Sequence, residues 1–321
     1  MAGWLNRLLG LVIGLLGAAA PIGHAWAAPP DQLVVFGDSL SDPGNAFVIL
    51  KKVAVPPFSS LIPDAPYARG GLHFSNGATW VEQLSVVDTA LPSSGPALAQ
   101  PKLFANYSVG GARARLNGPF DLTAQINRFL IDFGGLGSAA ALYVVWIGGD
   151  DVRDAVQALA TDPTGITSAA IEQQAVLTIR NGLLTLYGAG ARRFLVLNIP
   201  DLGLTPEARL LGPQVQAAAT YLASQFNAGL QQVLLGAQAG LPDLQLVTLD
   251  IFALLHEVTG APAAFGLTDV TNPCIVVNSS ARPYCPNAGA FLFWDGAHPT
   301  VAGHRIVAQH AAAAMGLAWP H

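Results

Sequence analysis

Short apolar runs alternate with segments of helical periodicity along this chain, and this alternation constrains its fold more than any other feature. In one segment apolar residues recur at every fourth position, at Ile171, Ala175, Ile179 and Leu183, which gives a helix one apolar face. Strands separated by helices form βαβ crossovers and therefore a parallel sheet. We predict an α/β fold with one five-stranded parallel sheet flanked by helices. The strand-like runs are residues 33–36, 103–109, 141–147, 194–199 and 244–249.

A serine directly follows the first strand-like run. Residues 36–45 read Phe-Gly-Asp-Ser-Leu-Ser-Asp-Pro-Gly-Asn, so Ser39 would lie at the carboxyl end of a buried strand. Ligands of open α/β sheets bind at that end, because the loops leaving the strands surround a crevice. A hydroxyl in this position is ready to react if a base lies close to it. The alternative is that Ser39 only caps the helix that follows, as serines often do.

A candidate base lies near the other end of the sequence. Residues 293–300 read Phe-Trp-Asp-Gly-Ala-His-Pro-Thr. Asp295, three residues before His298, can reach Nδ1 of the imidazole and leave Nε2 free to take the proton of Ser39. We expect Thr300 to cap a helix that fixes the exit of this loop. The alternative for Asp295 and His298 is a surface loop with a solvated histidine.

Together, these two motifs resemble the first and last signatures of the GDSL esterase/lipase family, which belongs to the SGNH hydrolases. Further segments are similar to those of the larger bacterial and plant-type GDSL lipases, so the likeness covers about residues 33–314. The resemblance implies a three-layer flavodoxin-like fold and a catalytic triad of Ser39, Asp295 and His298. It also implies hydrolysis of carboxylic esters through an acyl-serine, without a metal or an organic cofactor.

Two segments between these motifs resemble the family's other signatures, which supply the oxyanion hole. Acyl transfer passes through a tetrahedral oxyanion, so hydrogen-bond donors must point at that oxygen. Matching residue by residue assigns one backbone N–H to Gly111, with Gly110 as the less favoured choice, next to the N–H of Ser39. The other segment reads Gly-Gly-Asp-Asp at residues 148–151, and Asp150 stands where the family has an asparagine whose side-chain amide completes the hole.

The aspartate at position 150 changes the expected chemistry. An ionised carboxylate cannot donate a hydrogen bond, and it repels the developing negative charge. Either Asp150 stays protonated in a desolvated pocket and donates, or it is ionised and turned away toward Arg113, which leaves the backbone donors of Ser39 and Gly111. A third alternative is a non-catalytic binding protein that retains the fold. We expect a hydrolase that is slowed but active.

A second candidate base precedes a Phe-Ser-Asn-Gly segment, residues 74–77, which is similar to a family element that leads into a helix. This residue is His73, but the resemblance assigns the role of base to His298. We expect structural roles for the acids and histidines outside the motifs, namely Asp201, Asp250, Asp269, His256, His304 and His310.

The first residues have the pattern of a secretory signal peptide. One positive charge, at Arg7, precedes 13 uncharged residues, 8–20, and an Ala-x-Ala site ends at Ala27. The apolar run is too short to span a bilayer. We therefore predict cleavage after Ala27, a secreted or periplasmic protein, and a single hydrolase domain over residues 28–321.

Both cysteines lie in a Pro- and Asn-rich stretch shortly before the predicted aspartate and histidine. In an oxidising compartment, Cys274 and Cys285 most simply form one disulfide. The alternative is two free thiols. A zinc site is not expected, because the stretch contains no histidine and two ligands do not make a site.

Charge and composition restrict the partners. Removal of Arg7 with residues 1–27 changes the net charge from −5 to −6, and only 11% of residues are charged, so the chain has no basic field for nucleic acid. A Pro-rich loop at residues 53–72 and an apolar composition suit a small-molecule or lipid ester as substrate, with transient contact to a lipid surface left open. The enzymatic alternative is a phospholipase or acyltransferase acting on lipids.

Overall fold

A parallel sheet of four strands forms the centre of the computed structural model, which describes residues 29–87 and 94–319. The first two strands are buried along their whole length, as expected for parallel strands covered on both faces. The strands lie in the order β1 (Leu33–Gly37), β2 (Leu142–Trp146), β3 (Arg193–Leu197) and β4 (Gln245–Leu249). The predicted signal peptide, residues 1–27, lies outside the described residues.

The prediction of a fifth regular strand at residues 103–109 is wrong. This segment does run parallel to β1, because Val35 N–H donates to the Ala105 carbonyl (2.9 Å) and Tyr107 N–H donates to the Val35 carbonyl (2.8 Å). However, the Asn106 side chain accepts a hydrogen bond from Ser108 N–H at 3.0 Å. The pairing with β1 continues to Val109, whose N–H donates to the Gly37 carbonyl at 3.2 Å, so the segment is an irregular edge beside β1 rather than a fifth regular strand.

Helices flank the sheet, and their apolar faces are those that the periodicity predicts. In α5, for example, Ala175, Ile179 and Leu183 are buried. Helices α3, α4, α5 and α7 pack in one group, and α2 packs against α9. The helices are α1 (Asn45–Leu50), α2 (Trp80–Val87), α3 (Leu122–Asp132), α4 (Gly149–Ala158), α5 (Ile166–Gly188), α6 (Pro206–Leu211), α7 (Pro213–Gly240), α8 (Ile251–Gly260) and α9 (Val301–Ala314). Within residues 29–87 and 94–319, none of the helices combines the length and the apolar character that a membrane span requires.

A small second sheet, which the sequence did not predict, precedes the C-terminal motif. It consists of β5 (Asp269–Pro273) and β6 (Phe291–Phe293), which pair in parallel. The predicted disulfide between Cys274 and Cys285 is confirmed and follows β5 directly. Next to it lies a separate apolar cluster, called here the Tyr67 cluster, whose buried members are Phe58, Tyr67, Cys274, Ile275 and Trp294.

Candidate active site

Ser39 and His298 lie together beyond the carboxyl end of β1. His298 Nε2 is 2.8 Å from Ser39 Oγ, although 259 positions separate the two residues in sequence. On the other side of the ring, His298 Nδ1 is 2.7 Å from Asp295 Oδ2. The structure therefore brings together the three residues of the predicted triad. In this geometry the imidazole can accept the hydroxyl proton while Asp295 holds the ring in the required tautomer.

A tight turn after β1 presents Ser39. Ser41 N–H donates to the Asp38 carbonyl at 3.1 Å, and Leu40 N–H donates to Asp38 Oδ1 at 3.0 Å. The helix that follows begins only at Asn45, and Asp42 accepts the N–H groups at its start, including that of Asn45 at 2.6 Å. Ser39 is therefore not a helix cap, and its hydroxyl bonds to His298.

Asp295 is fully buried, and four hydrogen bonds fix its carboxylate. Oδ1 accepts the backbone N–H groups of Ala297 (2.9 Å) and His298 (2.8 Å). Oδ2 accepts from the His298 ring and also from the hydroxyl of Tyr67 at 2.8 Å. Sequence reasoning missed Tyr67, because it lies 228 positions before Asp295 and belongs to no recognised motif. The predicted cap at Thr300 is confirmed, since its Oγ1 accepts Gly303 N–H at 3.2 Å and α9 begins at the next residue.

The Phe-Ser-Asn-Gly segment holds the loop that carries His298. The Phe74 ring lies against the His298 imidazole, with ring centroids 5.4 Å apart. Ser75 Oγ donates to the Pro299 carbonyl at 2.8 Å, and Asn76 Oδ1 accepts Val301 N–H at 2.8 Å. This segment therefore restrains the imidazole without contributing a reacting group.

The alternative base, His73, makes other contacts. Its Nε2 bonds to Glu82 Oε1 at 3.0 Å and its Nδ1 bonds to the Gly70 carbonyl at 2.6 Å, so neither nitrogen faces Ser39. Because both partners are acceptors, both ring nitrogens donate, and the pKa of His73 is raised by Glu82 in spite of burial. His73 thus holds its loop to α2.

The remaining acids and histidines also have structural contacts. Asp201 accepts from His256 Nε2 at 2.9 Å, Asp250 caps α8, and Asp269 accepts the N–H groups of the turn that follows it. His304 is buried in α9, and burial lowers its pKa to about 3, so that it remains neutral.

Two backbone N–H groups beside Ser39 Oγ are free to bind an oxyanion. Within the part of the chain that the structure describes, the N–H groups of Ser39 and Gly111 have no acceptor, and both residues line the same cavity. Gly111 has a φ of 81°, and a Cβ at this position would meet no atom within 4 Å, so the backbone faces open space. The N–H of Gly110 instead donates to Asp42 Oδ2 at 2.8 Å.

Asp150 lies in the first turn of α4 and lines this cavity. Burial raises its pKa, while the charges of Arg113 and Arg153 oppose the shift. Arg113 does not bond to Asp150. It makes a bidentate pair with Asp154 (2.8 and 2.9 Å) and donates to the Gly111 carbonyl. Of the alternatives for Asp150, a hydrogen bond to Arg113 is not observed: among the described residues, the Asp150 carboxyl has no hydrogen-bond partner.

Asp38 is a second carboxyl at this position, and sequence reasoning did not single it out. Only 2% of it is exposed, and its pKa is raised to about 8, first by burial and then by the charge of Asp150. Asp38 Oδ2 lies 3.8 Å from the place of a Cβ on Gly149, the residue before Asp150. For the Asp38–Asp150 pair, burial therefore favours the protonated form of both acids, and the charge of Asp150 adds to this effect for Asp38.

The electrostatics of the base favour proton uptake. Burial alone would lower the pKa of His298, but the charge of Asp295 and its hydrogen bond outweigh burial and raise that pKa. Asp150 and Asp38 add to the rise only while they are ionised. Among residues 29–87 and 94–319, no cluster of three or more histidine, cysteine or acidic side chains has the arrangement of a metal site.

Comparisons with known proteins show which family this chain resembles over most of its length. The model of the family described as GDSL-like lipase/acylhydrolase matches residues 33–311 of this chain. A GDSL esterase/lipase of Arabidopsis thaliana is 26% identical over 302 residues, which cover 86% of this chain and 86% of the plant protein. Esterase EstA of Pseudomonas aeruginosa is 30% identical over 348 aligned positions, covering 95% of this chain and 50% of EstA.

The fold also matches a solved structure. A catalytic mutant of Axe2, an acetylxylan esterase from Geobacillus stearothermophilus, superimposes with a TM-score of 0.51 at 17% identity, covering 92% of this chain and 98% of Axe2. Some sequence relatives are longer than this chain. The alignment covers about half of EstA and a quarter of an anther-specific proline-rich protein of Arabidopsis thaliana. Because the family match extends over most of the sequence, the chain belongs to the GDSL-like lipase/acylhydrolase family of carboxylic ester hydrolases.

Proposed function

We propose that this protein is an exported serine esterase or lipase that hydrolyses carboxylic esters through an acyl-serine on Ser39. The observation that carries the proposal is the distance of 2.8 Å between His298 Nε2 and Ser39 Oγ, with Asp295 on the opposite side of the ring. A nucleophile, a base and an orienting acid in hydrogen-bond contact are the elements of nucleophilic acyl transfer.

In the first half-reaction, His298 Nε2 takes the proton of Ser39 as Oγ bonds to the ester carbonyl carbon. The N–H groups of Ser39 and Gly111 donate to the resulting oxyanion. The carbon–oxygen bond to the alcohol then breaks, and His298 gives its proton to the departing alcohol. In the second half, His298 takes a proton from water, the hydroxide attacks the acyl carbon, and the acid leaves as Ser39 regains its proton.

Asp150 acts as a third donor in its protonated form. Support comes from its position in the cavity lining, the absence of a bonded cation among the described residues, and a pKa raised by burial. A neutral carboxylic acid can donate to an oxyanion in an apolar site. Loss of one oxyanion donor typically costs ~10²–10³ in rate, so ionisation of Asp150 would slow turnover without ending it.

Hydrolysis of p-nitrophenyl butyrate tests this function. We expect Ser39→Ala and His298→Ala to lower kcat by roughly 10⁴-fold or more, because the residues act as one unit. Ser59→Ala, at an exposed serine of the 53–72 loop, is the matched control and should keep full activity. If Ser39→Ala and His298→Ala release p-nitrophenol as fast as Ser59→Ala does, the proposal is contradicted.

The same assay separates hydrolysis from acyl transfer. If an added primary alcohol receives most of the acyl group, the acyl-serine mechanism stands and the protein is an acyltransferase. If the folded protein turns over no ester, the non-catalytic alternative is favoured.

Export is part of the proposal. It is supported by the signal-peptide pattern of residues 1–27 and by the Cys274–Cys285 disulfide, which is compatible with an oxidising compartment. Mass spectrometry of the protein recovered outside the cytoplasm should find Ala28 as its first residue. Full-length protein retained in the cytoplasm would contradict export.

A further inference from the structure

The cavity beside Ser39 extends along the carboxyl edge of the whole central sheet. Its volume is about 440 Å³, and its lining includes residues that follow each of the four strands: Leu40 after β1, Gly149 after β2, Leu202 after β3 and Ile251 after β4. Neighbouring strands of a sheet lie ~4.8 Å apart, so the three steps from β1 to β4 carry the cavity ~14 Å away from Ser39.

The chemistry of the lining changes along this path. Charged residues lie at the Ser39 end, where Asp38 and Asp150 meet the nucleophile. Arg153 of α4, which also lines the cavity, pairs with Glu207 of α6 at 2.9 Å, so these two charges neutralise each other. The lining side chains of α8 and α9 are aliphatic. They include Ile251, Leu254, Leu255, Val258, Ile306 and Val307.

We propose that this cavity is the acyl site, and that it selects esters of straight-chain acids with about ten to twelve carbons. The inference rests on the proposed function, because it places the acyl carbon at Ser39. An extended polypeptide lengthens by ~3.3–3.6 Å per residue, that is, over three backbone bonds. An extended acyl chain therefore lengthens by ~1.2 Å per bond. A path of ~14 Å therefore accommodates roughly eleven bonds from Ser39 to α8.

The aliphatic end determines the orientation. The acyl chain runs from Ser39 past Asp150, which follows β2, to the aliphatic side chains of α8 and α9, and the alcohol half lies on the other side of Ser39. Each methylene that moves from water into the aliphatic part raises affinity by roughly two- to fourfold. The affinity stops increasing where the aliphatic lining ends, because further methylenes remain in solvent or collide with protein atoms.

Binding of saturated fatty acids to the Ser39→Ala protein tests the site without turnover. In isothermal titration calorimetry, butyrate to palmitate should show a Kd that falls roughly two- to fourfold per methylene up to about eleven carbons and then stays level. A Kd that no longer improves beyond hexanoate, or that still improves from myristate to palmitate, would overturn the inference.

Turnover by the active protein separates this inference from the proposed function. The ratio of kcat/KM for p-nitrophenyl dodecanoate to that for the butyrate should fall at least tenfold in Leu254→Trp, because the indole fills the aliphatic end. Leu255→Trp, at a half-buried position of the same lining, repeats the test if the first variant misfolds. Ala253→Trp, on the exposed face of α8, is the matched control and should keep the wild-type ratio.

Each outcome decides one of the two proposals. Ester turnover that depends on Ser39 but shows the same kcat/KM for every chain length leaves the proposed function standing and overturns the acyl site. Fatty-acid binding with the expected length limit, but no turnover of any ester, leaves the acyl site standing and overturns the proposed function.

Discussion

A protonated Asp150 differs in one group, an OH in place of an NH2, from the asparagine that the family resemblance implies at this position, and that group determines when a hydrogen bond can be donated. An amide donates at every pH, whereas a carboxylic acid donates only while it holds its proton. In this site burial raises the pKa of Asp150 and favours the protonated form, although the charges of Arg113 and Arg153 oppose the shift. Activity should therefore depend on pH in a way that an asparagine would not impose.

We predict a bell-shaped pH dependence of kcat/KM that Asp150→Asn converts into a plateau. Activity rises as His298 loses its proton, above the ordinary histidine pKa because Asp295 raises it. It falls again as the Asp38–Asp150 pair, whose pKa values are raised, becomes ionised. In the asparagine variant the alkaline decline should disappear and kcat on the alkaline side should increase by roughly 10–100-fold.

Rates with p-nitrophenyl butyrate from about pH 5 to about pH 10 check this prediction. Asp243→Asn, at an exposed aspartate outside the cavity lining, is the control and should leave the profile unchanged. An Asp150→Asn rate that is equal to or below the wild-type rate throughout would contradict the role of Asp150.

Tyr67 is predicted to position Asp295. Tyr67→Phe removes one of the four hydrogen bonds to the carboxylate. Because hydrogen bonds to charged groups contribute roughly 1.5 kcal/mol or more, we expect about a tenfold fall in kcat with little change in KM. The less stabilised carboxylate should also hold the imidazolium proton more strongly, so the acid limb of the pH profile moves to higher pH.

Tyr284→Phe is the matched control, because its ring stacks on Trp294 next to Tyr67 but does not contact Asp295. A purely structural role of Tyr67 would lower the Tm of Tyr67→Phe and leave its acid limb where it lies in the wild type and in Tyr284→Phe.

At the scale of elements, the active site depends on segments outside the central sheet. The irregular segment after residue 103 carries Gly111, and the small sheet of β5 and β6 precedes the loop of Asp295. The disulfide loop contacts this second region directly, since Cys274 N–H donates to the Phe293 carbonyl (3.0 Å) and Ile275 N–H donates to the Trp294 carbonyl (2.9 Å). Stability of the loop should therefore affect both folding and turnover.

Replacing both cysteines by serine should lower the free energy of unfolding by roughly 3 kcal/mol, the value expected for closing a short loop. The two cysteines are 11 positions apart. We also expect kcat to decrease, because Trp294 precedes Asp295. Urea unfolding with and without a thiol reductant checks this: the reductant should shift only the wild-type midpoint. Identical midpoints for the wild type and the double variant would contradict the prediction.

At the scale of the whole molecule, the features that could be predicted from the sequence are those that a short, contiguous motif or apolar run determines. Ser39, Asp295, His298 and the four regular strands belong to this class. The segment at 103–109 was predicted as a regular strand because its apolar content is strand-like, whereas it lies beside β1 only as an irregular edge in which the Asn106 side chain bonds to Ser108 N–H and to the Ser41 carbonyl.

Other features depend on tertiary packing that no local pattern encodes. Tyr67 reaches Asp295 across 228 positions, and Asp38 titrates abnormally only because the fold buries it next to Asp150. The cavity is lined by segments that follow every strand of the sheet, and its length became apparent only from the strand order.

The most direct test of the account is covalent labelling of the folded protein with a fluorophosphonate, followed by intact mass measurement and peptide mapping. We predict one adduct per chain, on Ser39, with a labelling rate that falls at least a hundredfold in His298→Ala, because the hydroxyl is then no longer activated. A folded protein that remains unlabelled, or that carries the adduct on another serine, would contradict the central claim that His298 activates Ser39.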